Sequence, residues 1–189
     1  MAHPVDRAPS APTLAVLSIQ HVLAFYAGAV IVPLLIGLCI GIVVKLFVID
    51  FLHISGRSME PAIKDGETVF VNKLAYGLVK PGSAGFFVSW AEPKAGDIVI
   101  YLHANRIVVK RCAAVAGAHL EYSSNSGYSL FVGDLKIELT KEQYELMRAS
   151  SRVPDGYILA LGDNYAESID SRNYGFVSVK NVVGRIINK

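Results

Sequence analysis

From Leu14 to Val44 the chain carries no aspartate, glutamate, lysine or arginine. Beyond Asp50 it changes character, to short apolar runs broken by glycine, proline and asparagine. A helix crossing a bilayer needs about 20 apolar residues. The first stretch therefore predicts one span with residues to spare, and it is too tight for two spans and a turn. Its apolar core runs from Gly28 to Val48, interrupted by Lys45, whose stem can snorkel to the interface. Ser18, Gln20 and His21 make residues 1–27 a partly interfacial segment ahead of an anchor at 28–49. Pro33 can bend such a helix, as membrane helices tolerate. The run is longer than the apolar part of a cleaved signal peptide and has almost no charged segment before it, so an uncleaved anchor is expected.

The remaining residues, 50–189, read mostly as strands. Phe51–Ser55, Thr68–Val71, Asp97–Leu102, Ile107–Val115, Tyr157–Leu161 and Val182–Ile187 are β-branched or aromatic runs. Turn pairs such as Asp65-Gly66, Pro81-Gly82 and Ala95-Gly96 separate them. One helix is legible: Thr140 and Gln143 form a capping-box signature ahead of Lys141–Ala149, with Tyr144 and Met147 on one face. The aromatic, glycine-containing stretch 72–93 predicts an exposed excursion, with Phe86, Phe87 and Trp90 suited to a membrane interface. The fold class expected is mainly β: a coiled β-sheet domain with one short helix, anchored by a single N-terminal transmembrane helix.

Composition adds limits. The mean hydropathy of +0.41 is high for a wholly soluble chain, and the apolar excess lies near the N-terminus. Setting aside Arg7, Lys45 and Asp6, the domain keeps 16 of the 18 basic and 15 of the 16 acidic residues, a balance that gives no support to nucleic-acid binding. Cys39 falls in the anchor and Cys112 in the domain, which argues against a disulfide between them and against a cysteine-built zinc site.

Candidate chemistry begins at Gly56-Arg57-Ser58-Met59-Glu60-Pro61, a serine on a bend just beyond the anchor. A serine hydroxyl is a weak nucleophile until a neighbour takes its proton. None of the five histidines sits in a motif that connects to Ser58. Lys110, inside the apolar run Arg106–Val115, is the alternative, because burial disfavours an ammonium and frees a neutral amine to act as base. In isolation Ser58 reads equally as a turn serine and Lys110 as a snorkelling strand lysine.

Taken together, three blocks in order resemble bacterial type I signal peptidase, the membrane-bound serine–lysine protease family. They are Ser58-Met59-x-Pro61, Val109-Lys110-Arg111, and Gly162-Asp163-Asn164 with Ser168-x-Asp170-Ser171-Arg172 and Gly175; the segments 72–77 and 89–97 match as well. The resemblance covers roughly residues 50–189. It implies Ser58 as nucleophile, Lys110 as general base, Ser168 as the serine that orients the lysine, and Asp170 with Arg172 as a supporting buried ion pair. It implies no metal and no cofactor. Asp163 and Asn164 are expected to set a turn and bond backbone behind the site. By position Leu52, Ile54, Met59, Ile63 and Val109 should line shallow pockets for small-x-small cleavage sites, although each could equally be a core residue.

The implied partners are preproteins bearing signal peptides, the lipid bilayer and the export machinery. The implied location is the cytoplasmic membrane, with the domain on the outer side. Ser58 follows the anchor by about ten residues, so chain reach holds it within a few tens of ångströms of the bilayer. Three departures from the family pattern stand out. Gly56 replaces a serine that in some members helps hold the oxyanion; Arg111–Ala118 lacks the usual glycine–proline turn; Ala62 follows Pro61. Two rival readings are a dedicated processing peptidase for a conjugation or pilus component, and a catalytically silent, membrane-tethered β domain.

Overall fold

A computed structural model describes residues 11–81, 85–125 and 127–187, with side chains from Phe25 onward. Backbone contacts divide the chain after Val44 into two units. The first is helical. Helix α1 (Ala11–Phe47) runs unbroken past Pro33. The stretch Phe25–Phe47, with mean hydropathy 2.8 and none of its apolar window buried in protein, is long and apolar enough to cross a membrane. At 1.5 Å per residue it spans about 35 Å, against a hydrocarbon core of about 30 Å. Of the interfacial segment expected at residues 1–27, residues 1–10 lie outside the described residues; from Ala11 its backbone continues the helix.

The second unit, from Lys45 on, is mostly β. Its main sheet joins β1 (Ile49–His53), β2 (Thr68–Asn72), β12 (Val182–Ile186), β5 (Ile98–His103), β6 (Arg106–Val115), β10 (Tyr157–Leu161) and β11 (Val177–Ser178), in that spatial order. Strands that interrupt this order in the chain form smaller sheets. The hairpin β3 (Gly77–Val79) and β4 (Phe86–Ser89) occupies the expected excursion. A three-stranded sheet is built from β7 (Glu121–Ser123), β8 (Tyr128–Val132) and β9 (Leu135–Leu139). Helix α2 (Lys141–Met147) opens on the anticipated capping box: Gln143 N–H donates to Thr140 Oγ1, and Thr140 N–H to Gln143 Oε1. It ends two residues earlier than its pattern suggested, with Met147 buried. A further short helix, α3 (Ser171–Tyr174), departs from the expected single helix.

Period-two alternation explains the cores. On β5, Ile98 and Ile100 enter one cluster with Ile54, Met59, Ile63, Val69, Val71 and Ile186, while Val99 and Tyr101 enter another with Cys112, Ile158 and Ala160. On β10, Leu159 and Leu161 pack with Leu130, Ile137 and Met147 beneath the three-stranded sheet. The first cluster flanks Ser58 in sequence and carries the bend on which it sits.

Candidate active site

Ser58 lies on the bend that follows β1. Gly56, with φ of +107°, starts that bend in a conformation that disfavours any side chain, and its N–H donates to Asp65 Oδ1 at 2.7 Å. The bend is held from the other side of the site by Asn164. Its backbone N–H donates to the Ser58 carbonyl at 3.1 Å and its Nδ2 to the Arg57 carbonyl at 3.2 Å. Gly162 passes so close that a Cβ there would collide with both the Ser58 carbonyl oxygen and the Ser168 hydroxyl. Strand β10 and its following loop thus press directly on the serine bend.

Lys110, midway along β6 and paired across from Val99, is 5% exposed, and its Nζ is hydrogen-bonded to Ser58 Oγ at 2.7 Å. Burial pushes its pKa below the ordinary lysine value. Asp170 and Asp163 push the other way, and Arg172 reinforces burial. Both carboxylates are pinned by guanidinium groups. Arg172 Nε and Nη2 bind Asp170 at 2.9 and 3.0 Å, and Arg111 Nε and Nη2 bind Asp163 at 2.8 and 2.7 Å. A forked donor on each carboxylate spends its charge locally, so Lys110 meets two neutralised pairs rather than two free anions.

Asp170 is fully buried and works three ways. It caps α3 through the Arg172 N–H, accepts from the Gly162 N–H at 3.0 Å, and holds the Arg172 fork. Burial alone would raise its pKa; the Arg172 and Gly162 hydrogen bonds outweigh that and hold the carboxyl below its usual range. Arg172 also donates to the carbonyls of Tyr165 and Ser168, fixing the loop that presents Ser168. The Ser168 hydroxyl is near enough to Asp170 to help hold that carboxyl down, yet it makes no well-aligned hydrogen bond. A hydrogen bond weakens steeply once bent, and the contact expected from Ser168 to Lys110 is not made either.

The structure therefore gathers Ser58, Lys110, Ser168, Asp170 and Arg172 around one buried spot. Leu52, Ile54, Met59, Ile63 and Val109 share one apolar cluster beside the bend. Within it Ile63 and Met59 are almost wholly buried, whereas Leu52 and Val109 keep partial exposure. Sequence reasoning missed the Arg111–Asp163 fork, the Asp65 tether and the packing role of Gly162. A partner for Arg111 could not be read from spacing, since 52 residues separate the pair.

A model of the family described as signal peptidase, peptidase S26, matches residues 27–188. Signal peptidase I of Bacillus caldolyticus is 30% identical over 172 residues, covering 82% of this chain and 86% of that protein. Signal peptidase IB of Staphylococcus aureus (strain Mu50) is 29% identical over 178 residues, covering 82% and 85%. A crystal structure of a signal peptidase I from Enterococcus faecalis V583 aligns at a TM-score of 0.38 and 24% identity, over 52% of this chain and all of that one, too slight a match to argue from. The chain belongs to the signal peptidase family, peptidase S26, whose members cleave signal peptides from preproteins.

Proposed function

We propose that this protein is a serine–lysine endopeptidase that cuts signal peptides after small-x-small sites. Ser58 is the nucleophile and Lys110 the general base. The observation that carries this reading is the 2.7 Å contact between Lys110 Nζ and Ser58 Oγ, made by a buried lysine whose pKa is depressed. A neutral Nζ accepts the Ser58 proton as Oγ attacks the scissile carbonyl carbon. The resulting ammonium then donates that proton to the leaving amine. In the second half, Lys110 takes a proton from water as its oxygen attacks the acyl ester. The Oγ–acyl bond then breaks, the Lys110 ammonium returns the proton to Ser58 Oγ, and the signal peptide leaves with a free carboxyl terminus.

Gly56 supplies no hydroxyl to the developing oxyanion, so backbone N–H groups of the bend, Ser58 foremost, hold it. Ser168, Asp170 and Arg172 position the base. Leu52, Ile54, Met59, Ile63 and Val109 shape the pockets for the small residues. Residues 28–49 anchor the protein in the cytoplasmic membrane, with residues 50–189 on its outer side, where preproteins emerge. The Ser58–Lys110 contact disfavours a silent binding domain, because it places a buried amine on a hydroxyl with no structural need for either.

Purified full-length protein in detergent, given a preprotein with an Ala-x-Ala site, provides the test. Ser58→Ala should reduce cleavage to background with unchanged thermal unfolding. Lys110→Arg, which keeps a cation but offers no neutral amine, should lower turnover by about 10²–10⁴-fold, the range of general-base catalysis. Turnover of Ser58→Ala within tenfold of wild type would show that another residue attacks.

A further inference from the structure

A second recess in the same unit lies farther along β1 from Ser58. It is a mainly apolar groove of about 390 Å³ between Asp50–Leu52 of β1 and the β5–β6 hairpin, with Leu102, Ile107, Val79 and Val183 among its walls. Leu52 belongs both to this groove and to the apolar cluster beside the serine bend, so the groove adjoins that cluster.

The groove is flanked by two strand edges, on β1 and β6. Ile54 N–H donates to Glu67 and Lys73 N–H to Val48, so the even-numbered residues of β1 bond inward to β2. Antiparallel pairing then turns the N–H and C=O groups of Ile49, Phe51 and His53 to the outer edge. There the Phe51 N–H donates to the neighbouring Asp50 Oδ1 at 2.9 Å, and an added strand would have to displace that carboxylate. On β6 the Cys112 N–H donates to Asp97, which assigns the even-numbered residues to β5. Ile107 and Val109 therefore face outward, and the pairing of β6 with β10 begins only at Arg111. An extended chain laid into this slot meets donors and acceptors on both sides.

We propose that the groove is a third substrate pocket, which takes the residue five positions before the cut and favours a large apolar side chain there. The proposal rests on reading Ser58–Lys110 as the active site. Side chains of an added strand recur on one face every second residue, about 6.6–6.8 Å apart. If the residue before the cut faces Ile54, Met59 and Ile63, the third before it faces Leu52 and Val109. The fifth then faces the groove around Asp50, Leu102 and Ile107. The two nearer pockets are closed off by buried side chains, whereas the groove has room for a leucine. The occupant is thus the trailing end of a signal peptide's apolar segment.

The experiment uses full-length protein in detergent micelles and three signal-peptide substrates with one Ala-x-Ala site, differing only in leucine, alanine or asparagine at the fifth position before the cut. Wild type should prefer leucine to asparagine by about tenfold in kcat/KM, the scale set by burying one such side chain. Ile107→Asp, at a residue 58% exposed and so harmless to the core, should bring that ratio near one. Val79→Trp, which fills the groove without adding charge, should do the same. Equal cleavage of all three peptides by wild type would overturn the pocket while leaving the active-site reading intact. Failure of wild type to cut any of them would remove that reading and the pocket with it. A flat peptide series, combined with a Val79→Trp effect on stimulation by phosphatidylglycerol vesicles, would assign the groove to lipid and also overturn the proposal.

Discussion

Two ion pairs of nearly equal length occupy opposite surroundings. At the start of α3, Arg172 and Asp170 meet at 2.9 Å with side chains only 4% and 0% exposed. On α2, which covers the three-stranded sheet, Arg148 and Glu145 meet at 2.7 Å with 56% and 48% exposed. Distance alone ranks the second pair as the stronger. Burial reverses the ranking, because water screens the outer pair and cannot replace either partner of the inner one. The lesson extends to the catalytic region as a whole. Around Lys110 the fold binds the Asp170 and Asp163 carboxylates to guanidinium groups, and the Lys110 amine makes no ion pair among the described residues. The α2 layer uses ordinary apolar packing and leaves its charges in solvent.

Removing Arg172 should break the comparison most severely. Arg172→Leu strands the Asp170 carboxylate in the interior, and such orphaned charges cost about 3–5 kcal/mol. Denaturant unfolding of the full-length protein should show that loss, and adding Asp170→Asn should recover part of it. The sign of the pH dependence follows from Asp170. Its folded pKa is depressed, so its contribution is complete above the ordinary carboxylate range and disappears as pH falls through the folded value. Arg172→Leu should accordingly lose the Asp170 share of the acid-side decline, while Asp50 and Asp97, also depressed, keep theirs. Stability within 1 kcal/mol of wild type, an order-of-magnitude threshold, would mean that Asp170 is neutral in the fold.

A smaller effect, confined to activity, is expected at the outer fork. Arg111→Gln leaves the Asp163 carboxylate free to act on Lys110, and that carboxylate already favours the ammonium form. The Lys110 pKa should rise toward its ordinary value, so the acid limb of the kcat/KM profile moves to higher pH. Asp163→Asn should move it to lower pH. A shift of one unit would correspond to about 1.4 kcal/mol of interaction. Limbs that stay fixed, or move in the reverse sense, would show that neither group controls the base.

Much of this region was legible in the sequence, and the contrast with the α2 layer shows why. Strands β1, β2, β5, β6, β10 and β12 announce themselves through β-branched runs between turn residues. Nothing in their chain order, however, shows that the bend after β1 meets Lys110 of β6, from which three strands separate β1 in the sheet. β7–β9 were not anticipated. The polar Ser123, Ser124 and Asn125 interrupt the apolar pattern, and the five-residue strand β9 carries exposed Lys136 and Glu138. A signal was present: Gly133-Asp134 between Tyr128–Val132 and Leu135–Leu139 is a two-residue hairpin connection, with Gly133 at φ +57°. The Asp170–Arg172 pair was expected from the resemblance, but the Arg111–Asp163 fork could not be read. Which arginine meets which carboxylate depends on how β6 pairs with β10, and one-dimensional charge spacing carries no trace of that register.

The smallest expected effect completes the comparison from the exposed side. Glu145→Gln removes the outer ion pair while keeping side-chain volume, and it leaves Arg148 over the Tyr144 ring at 5.9 Å. The pair lies one turn apart on the helix surface, where such contacts contribute about 0.3–0.5 kcal/mol and fade with salt. The expected change in Tm is therefore under about 2 °C, since 1 kcal/mol corresponds to about 2–4 °C at this chain length. It should vanish in high salt, whereas the Arg172→Leu loss should persist there, because the interior pair is beyond the reach of screening ions. A Glu145→Gln penalty comparable to that of Arg172→Leu would mean that the two environments differ less than their exposure implies. The ranking by burial would then fail for this fold.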